Sequence, residues 1–288
     1  MITYNPKDWF KLITHFHKSD TFRVLLPSMI GIGAFTALVV TFEIYVLHWS
    51  YSNITIIHSI LGFVLSMLLV FRTNTAYDRW WEGRKIWGDI VNNSRNIGLK
   101  FTTYIKDENE KADLIKYIIH YNYILKCHLR RKAISTDIHD LDENVKSELL
   151  NSKHPPNAMS IIIHRKIDEL YMAKKINDTQ LWMINEELKS FTSNCGACER
   201  IKNTPIPFSY NIFLKKIIFL YVVTIPFAFG PDFKYATIVI SMIVLYVFAS
   251  IELIAEEIED PFGEDDNDLP LDQICNNIKT NLNEFIKK

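Results

Sequence analysis

Neither sign of charge dominates this chain: 32 Lys and Arg stand against 33 Asp and Glu, a formal net charge of −1. The basic residues are scattered, so there is no broad positive field to hold a polyphosphate backbone, and nucleic-acid binding is excluded. Cysteine is scarce as well. Four in 288 residues, with only Cys195 and Cys198 close in sequence, cannot make the disulfide framework of a small secreted domain. The opening MITYNPKDWFKLITHFHKSD has no uninterrupted apolar core before a small-residue cleavage site, so no cleavable signal peptide is expected.

Enzyme motifs are missing too. There is no Walker A loop, no HExxH and no GxSxG. Gly31-Ile32-Gly33 lacks the third glycine of a dinucleotide fingerprint and follows no strand, which leaves helix-packing glycines. Cys195-Gly196-Ala197-Cys198 would need two further zinc ligands, and Cys127, Cys275 and the nine histidines offer none at finger-like spacing. Structural cysteines near a helix end are expected there. His15 and His17, two residues apart, fall on different faces of a helix and make no metal pair. No alternating strand pattern, internal repeat or low-complexity tract stands out.

What the chain does have is apolar residues, 48% of the total, and they are segregated. Residues 24–49 carry Glu43 as their only formal charge, and residues 54–71 carry none. Residues 213–230 hold only Lys215 and Lys216, at the start, and 235–251 are free of charge until Glu252. A helix needs about 20 residues to cross a hydrocarbon core, so these four stretches are expected spans, paired as two hairpins. Core helices of a large soluble protein rarely run so far without a polar stripe.

Loop charges set the topology, because Lys and Arg stay on the cytoplasmic side. Lys7, Lys11, Lys18 and Arg23 precede the first span, Arg72, Arg79, Arg84 and Lys85 follow the second, and the outer turns hold only Lys234. Both termini are therefore expected in the cytoplasm of a multi-pass plasma (inner) membrane protein. Four parts follow: residues 1–71, an interfacial helix and the first hairpin; 72–212, a cytosolic helical domain; 213–251, the second hairpin; and 252–288, an acidic loop and tail helix. Helical spacing is plain in 114–129 and 181–191, and Pro155-Pro156 is the clearest breaker. Trp9, Ile13 and Phe16 share one face of a short N-terminal helix. Leu271, Ile274, Ile278, Leu282 and Ile286 make a tail stripe that needs a groove on its own subunit or a neighbour. Phe63, Met67 and Phe71 recur every four residues on the charge-free second span, so they share a face about 6 Å apart along the axis.

Four segments are more individual: FRTNTAYDRWWEGRKIWGDIVNNSRNI (71–97), CERIKNTPIPFSY (198–210), EEIEDPFG (256–263) and NDLPLD (267–272). With Arg79-Trp80-Trp81 and Glu259-Asp260-Pro261-Phe262-Gly263 as signatures, the chain resembles a bestrophin of the prokaryotic branch from the first span to the tail. The resemblance implies an all-α membrane protein of four spans and a helical cytosolic domain, assembled as a homopentamer in the lipid bilayer around one pore lined by the second span. It implies that the tail helix wraps a neighbouring subunit, and that Phe63, Met67 and Phe71 form a hydrophobic neck of stacked rings, with Met67 where Ile or Phe is more usual. Such a neck gates by dewetting, since an ion must shed water there without polar replacement.

By the same resemblance a second aperture lies at Thr179 or Leu181, and a calcium clasp draws on the carbonyls of Glu257 and Asp260 and the carboxylates of Asp265 and Asp268. Hard oxygen ligands suit calcium, and no other cofactor is required. Animal members pass chloride, the prokaryotic branch includes cation-conducting members, and Val64 stands where animal forms carry a proline. The function expected is a channel for small monovalent ions, chloride by family name, with sodium or other cations as permeant ions of the prokaryotic branch. A membrane scaffold or receptor whose cytosolic domain binds a partner is the alternative, but it has no need for three aligned apolar residues on a charge-free span. A membrane enzyme would need a convergent catalytic cluster near the membrane, and Glu43 stands alone there.

Overall fold

The computed structural model describes residues 21–47, 54–134, 138 and 140–286. The Trp9-Ile13-Phe16 face and the His15/His17 pair lie outside the described residues. Among the described residues the secondary structure is helical throughout: α1 (Thr21–Phe42, followed by a π turn at Glu43–Leu47), α2 (Ile54–Tyr104), α3 (Glu108–Leu129), α4 (Glu143–Leu150), α5 (Pro155–Met172), α6 (Asp178–Asn203), α7 (Phe208–Phe233), α8 (Ala236–Glu259) and α9 (Leu271–Ile286). Four of these, α1 with its π turn, α2, α7 and α8, are long and apolar enough to cross a membrane.

The chain divides into two compact units. One runs up to Trp80, resumes at Pro205–Asp260 and includes Asp265–Asn267; the other takes Trp81–Thr204, Pro261–Glu264 and the chain from Asp268 on. In the first unit, Leu25 and Met29 of α1, Val222 and Ile225 of α7 and Leu245 of α8 form one apolar core, and Leu65 and Leu69 of α2 pack with Ile218 of α7 in a second. Thr36 and Ser241 share a buried hydrogen bond of 2.9 Å between α1 and α8. Of the two glycines in α1, Gly33 packs as expected, its absent Cβ leaving room for Met242 Sδ at 3.0 Å, whereas Gly31 faces open space.

The second unit is built on α3, whose buried residues run almost continuously from Leu114 to Leu129. Asp107 caps it, its carboxylate accepting from the Asn109 and Glu110 amides. Asn177 and Gln180 form a capping box at the start of α6. Pro155 and Pro156 open α5, where the missing proline N–H would be unpaired in any case. Cys195 and Cys198 are buried free thiols in the body of α6, which runs on to Asn203 instead of stopping beside them. Burial pushes the Cys195 thiol up to about 12 and raises that of Cys198 further. Both are inert packing groups.

The tail helix α9 finds its groove on its own chain. Leu271, Cys275, Ile278 and Leu282 are buried, while Ile274 and Ile286 are half-buried, so Cys275 takes the place in the seam that the apolar pattern alone assigns to Ile274. The Cys275 thiol donates to the Asn122 carbonyl of α3 at 3.5 Å, and Tyr123 Oη donates to Asn276 Oδ1 at 2.5 Å. At Gly98 of α2 a Cβ would stand 2.5 Å from Leu282 and 3.0 Å from Phe285, so glycine lets the tail approach closely here. The resemblance points to a neighbouring subunit for this helix; its apolar stripe is satisfied within the chain.

Candidate functional site

Residues on one side of α2 decide what the other side can do. His58, Leu65, Leu69, Arg72 and Ala76 are all buried, spaced seven, four, three and four apart, which is one face of a helix. That face is fastened by polar contacts as well as packing. His58 Nε2 lies 3.1 Å from the Tyr221 carbonyl and 3.2 Å from Thr224 Oγ1, Thr55 Oγ1 donates to the Ala228 carbonyl, and Tyr210 Oη donates to the Leu68 carbonyl. The rotation of α2 about its axis is thereby fixed.

Phe63, Met67 and Phe71 fall on the opposite side, 67%, 46% and 58% exposed. Among the described residues no side chain covers them fully. The same exposed line continues through Asn74 to Asp78, so an apolar row passes into polar groups along one face.

Arg72 is not on that line. Its side chain is fully buried, with Nη2 2.7 Å from Glu259 Oε2 and Nε 3.5 Å from Glu252 Oε2, both on α8. Glu259 is satisfied further: Oε1 accepts from the Ile206 amide at 2.7 Å, and its carbonyl accepts from Arg79 Nε at 3.1 Å. Arg72 follows Phe71 by one residue, hence by about 100° around the helix, and this turns it from the exposed line into the core. Arg72 and Arg79, which the sequence presents as charges flanking the second span, are both committed to the end of α8. Hydropathy could not find this cluster, because Arg72 and Glu259 lie far apart in sequence and each reads as an ordinary flanking charge.

Thr179 and Leu181 sit in the first turn of α6, Thr179 exposed and Leu181 half-buried. Two residues apart on a helix is about 200°, so they face different ways and do not line one opening together. Of the acidic residues, Glu257 is half-buried with Oε2 accepting from Asn267 Nδ2 at 2.6 Å. Asp265 is exposed, and with Glu256, Glu257, Thr21, Val24 and Leu253 it lines a cavity of about 240 Å³. Asp260 is half-buried, and Asp268, in the second unit, is buried. The donors in this stretch are oxygens only, the set that a hard cation such as calcium takes.

A chain whose described residues are helical throughout, with four apolar candidate spans among them, one extended past its apolar stretch and bearing an exposed apolar row, is a membrane protein of the multi-span helical class. The chain belongs to the bestrophin family: the family model described as Bacterial/Fungal Bestrophin protein matches residues 1–284. It is 40% identical over 228 residues to the voltage-dependent anion channel-forming protein alr2987 of Nostoc sp., covering 77% of this chain and 74% of that one. It is 30% identical over 283 residues to the voltage-dependent anion channel-forming protein YneE of Salmonella typhi, covering 98% and 93%. A crystal structure of a bacterial bestrophin homologue from Klebsiella pneumoniae superposes with a TM-score of 0.86 at 27% identity, covering 92% of this chain and 99% of that one.

Proposed function

We propose that this chain is the subunit of an ion channel of the plasma (inner) membrane, with both termini cytoplasmic, in which five copies surround a pore lined by α2. The observation that carries the reading is the uncovered row of Phe63, Met67 and Phe71 on a helix whose opposite face is locked in place. Exposed apolar faces on the spans need lipid or another protein surface to shield them, and for this row the names of the relatives, anion channel-forming proteins, favour a shared axis. Around such an axis the three side chains make stacked apolar rings that block ions when dry and pass them when a small rotation lets water in.

Thr179 is the better of the two candidates for the second aperture, because it is exposed and Leu181 turns inward. The permeant species are small monovalent ions, chloride on the relatives' names. Cation conduction is a second reading, favoured by the exposed Asp78 one turn and three residues beyond Phe71 on the same line, where copies around an axis would concentrate negative charge. Within the first unit, Glu257, Asp260 and Asp265 are the proposed calcium ligands, through carbonyl and carboxylate oxygens.

Reversal potentials of the purified protein in a planar bilayer under a sodium chloride gradient test the reading. A current reversing near the chloride equilibrium potential identifies an anion channel, and one reversing near that of sodium identifies a cation channel. Absence of any current from protein that is correctly assembled contradicts the channel. Calcium added to the same bilayer is expected to change the current of the wild type but not of Asp265→Ala, chosen because Asp265 is exposed and its truncation leaves the core intact.

A further inference from the structure

Apart from α2 and the acidic stretch, three helices of the second unit bring two histidines and a glutamate to one point. His128 lies in the last turn of α3, His154 is the cap of α5, and Glu199 lies near the C-terminal end of α6. Both imidazoles reach the same carboxylate oxygen: Nε2 of His128 is 2.6 Å and Nε2 of His154 is 2.7 Å from Glu199 Oε1. The ring centroids are 4.6 Å apart, and the three donor atoms all lie within 4.8 Å of one another. The side chains are 25%, 32% and 27% exposed, held in place yet open to solvent. Burial by itself would raise the Glu199 carboxyl, but the hydrogen bonds and charge of the two imidazoles outweigh it and hold the group below the usual carboxylate range. The carboxylate is thus held as an anion against two imidazole nitrogens.

We propose that His128, His154 and Glu199 are a binding site for a divalent transition-metal ion of the zinc class, which ties α3, α5 and α6 together. Two imidazole nitrogens and one carboxylate oxygen form the mixed donor set that zinc takes, leaving a fourth tetrahedral position for water. Calcium and magnesium, which take oxygen, are poorly matched to it. The cysteines of α6 do not compete, since their buried thiols stay protonated.

Without metal the site closes on itself through hydrogen bonds. The Asn157 amide donates to His154 Nδ1 at 3.2 Å, which puts the ring proton on Nε2, where it is donated to Glu199. To ligate, His154 must present Nε2 as a lone pair. The ring proton then sits on Nδ1 and the Asn157 contact is given up. Bonds of about 2.0–2.1 Å to a tetrahedral ion set neighbouring donors roughly 3.3 Å apart, so each His–Glu contact opens by ~0.6 Å, a small adjustment for half-exposed side chains.

The test uses the full-length protein in detergent, stripped with chelator, loaded with zinc and desalted. One zinc per subunit is expected to remain and to raise the unfolding temperature. In His154→Asn the helix keeps a short side-chain acceptor at its cap, so folding is preserved while one ligand is lost, and zinc affinity is expected to fall at least about tenfold. Glu199→Gln should do the same. Zinc that washes out of the wild type, or that stays equally in both variants, overturns the site. Cobalt substituted into the wild type gives a reading that needs no variant: a tetrahedral visible band without sulfur-to-metal charge transfer supports the proposal, and a strong thiolate charge-transfer band assigns the metal to cysteine and refutes it.

Discussion

Arg72 fastens α2 to α8 through a buried ion pair. It is fully buried between Glu252 and Glu259 of α8, and its partner Glu259 also holds the Ile206 amide. Removing the guanidinium leaves two carboxylates buried without a counter-charge, which costs about 3–5 kcal/mol. Arg72→Ala should therefore unfold at a markedly lower temperature, followed as loss of the monodisperse peak on heating. Glu252→Gln, which leaves the closer pair intact, should change it far less. Equal unfolding temperatures for Arg72→Ala and wild type would show that the pair carries no stability. At this scale the sequence was a partial guide. The period of four that groups Phe63, Met67 and Phe71 is intrinsic to a helix and could be seen in the letters alone. That Arg72 turns inward, and that His128 and His154 both reach Glu199, depends on contacts between segments 45 or more residues apart, and no local spacing encodes those.

Among the elements, the four long apolar helices were legible because hydropathy reports directly on length without charge. Their ends were not. The apolar stretch of the second span stops at Phe71, yet α2 continues to Tyr104, because the residues beyond are helix-compatible and hydropathy registers the change of solvent, not a break in the backbone. The tail helix was legible as a stripe, and its place was not. It is held at its first turn by Asp272, whose Oδ2 accepts from Arg130 Nη1 at 2.7 Å and whose Oδ1 accepts from Lys126 Nζ at 3.1 Å. Burial opposes ionisation of Asp272, but these two bonds and charges prevail and its folded-state pKa lies below the ordinary 3.8. The contribution is thus complete above the unfolded value and is lost as pH falls through the lowered folded one. Hydrogen exchange should show Leu271–Ile286 protected at pH 7 and released in acid below about 3.8. Asp272→Asn should loosen the first turn already at pH 7. Protection that is the same at both pH values would mean that the apolar seam alone holds the tail.

For the whole molecule, the helical membrane class could be read from apolar segregation, while assembly could not, because a single chain's pattern does not count its neighbours. The uncovered face of α2 makes the count a matter for measurement. Native mass of the detergent-solubilised protein is expected to correspond to five subunits, and a monomer or dimer would remove the shared axis. The most direct test of the ion pathway is flux through the triple variant Phe63→Ala, Met67→Ala, Phe71→Ala. All three side chains are exposed in the subunit, so truncating them opens no cavity within it and the fold should persist. If they form the neck, their removal takes away the bulk that excludes water, and proteoliposomes should leak ions constitutively with the wild-type ion preference, from protein that elutes at the wild-type position on a sizing column. Wild-type flux from a correctly assembled triple variant would show that these residues do not gate the pore.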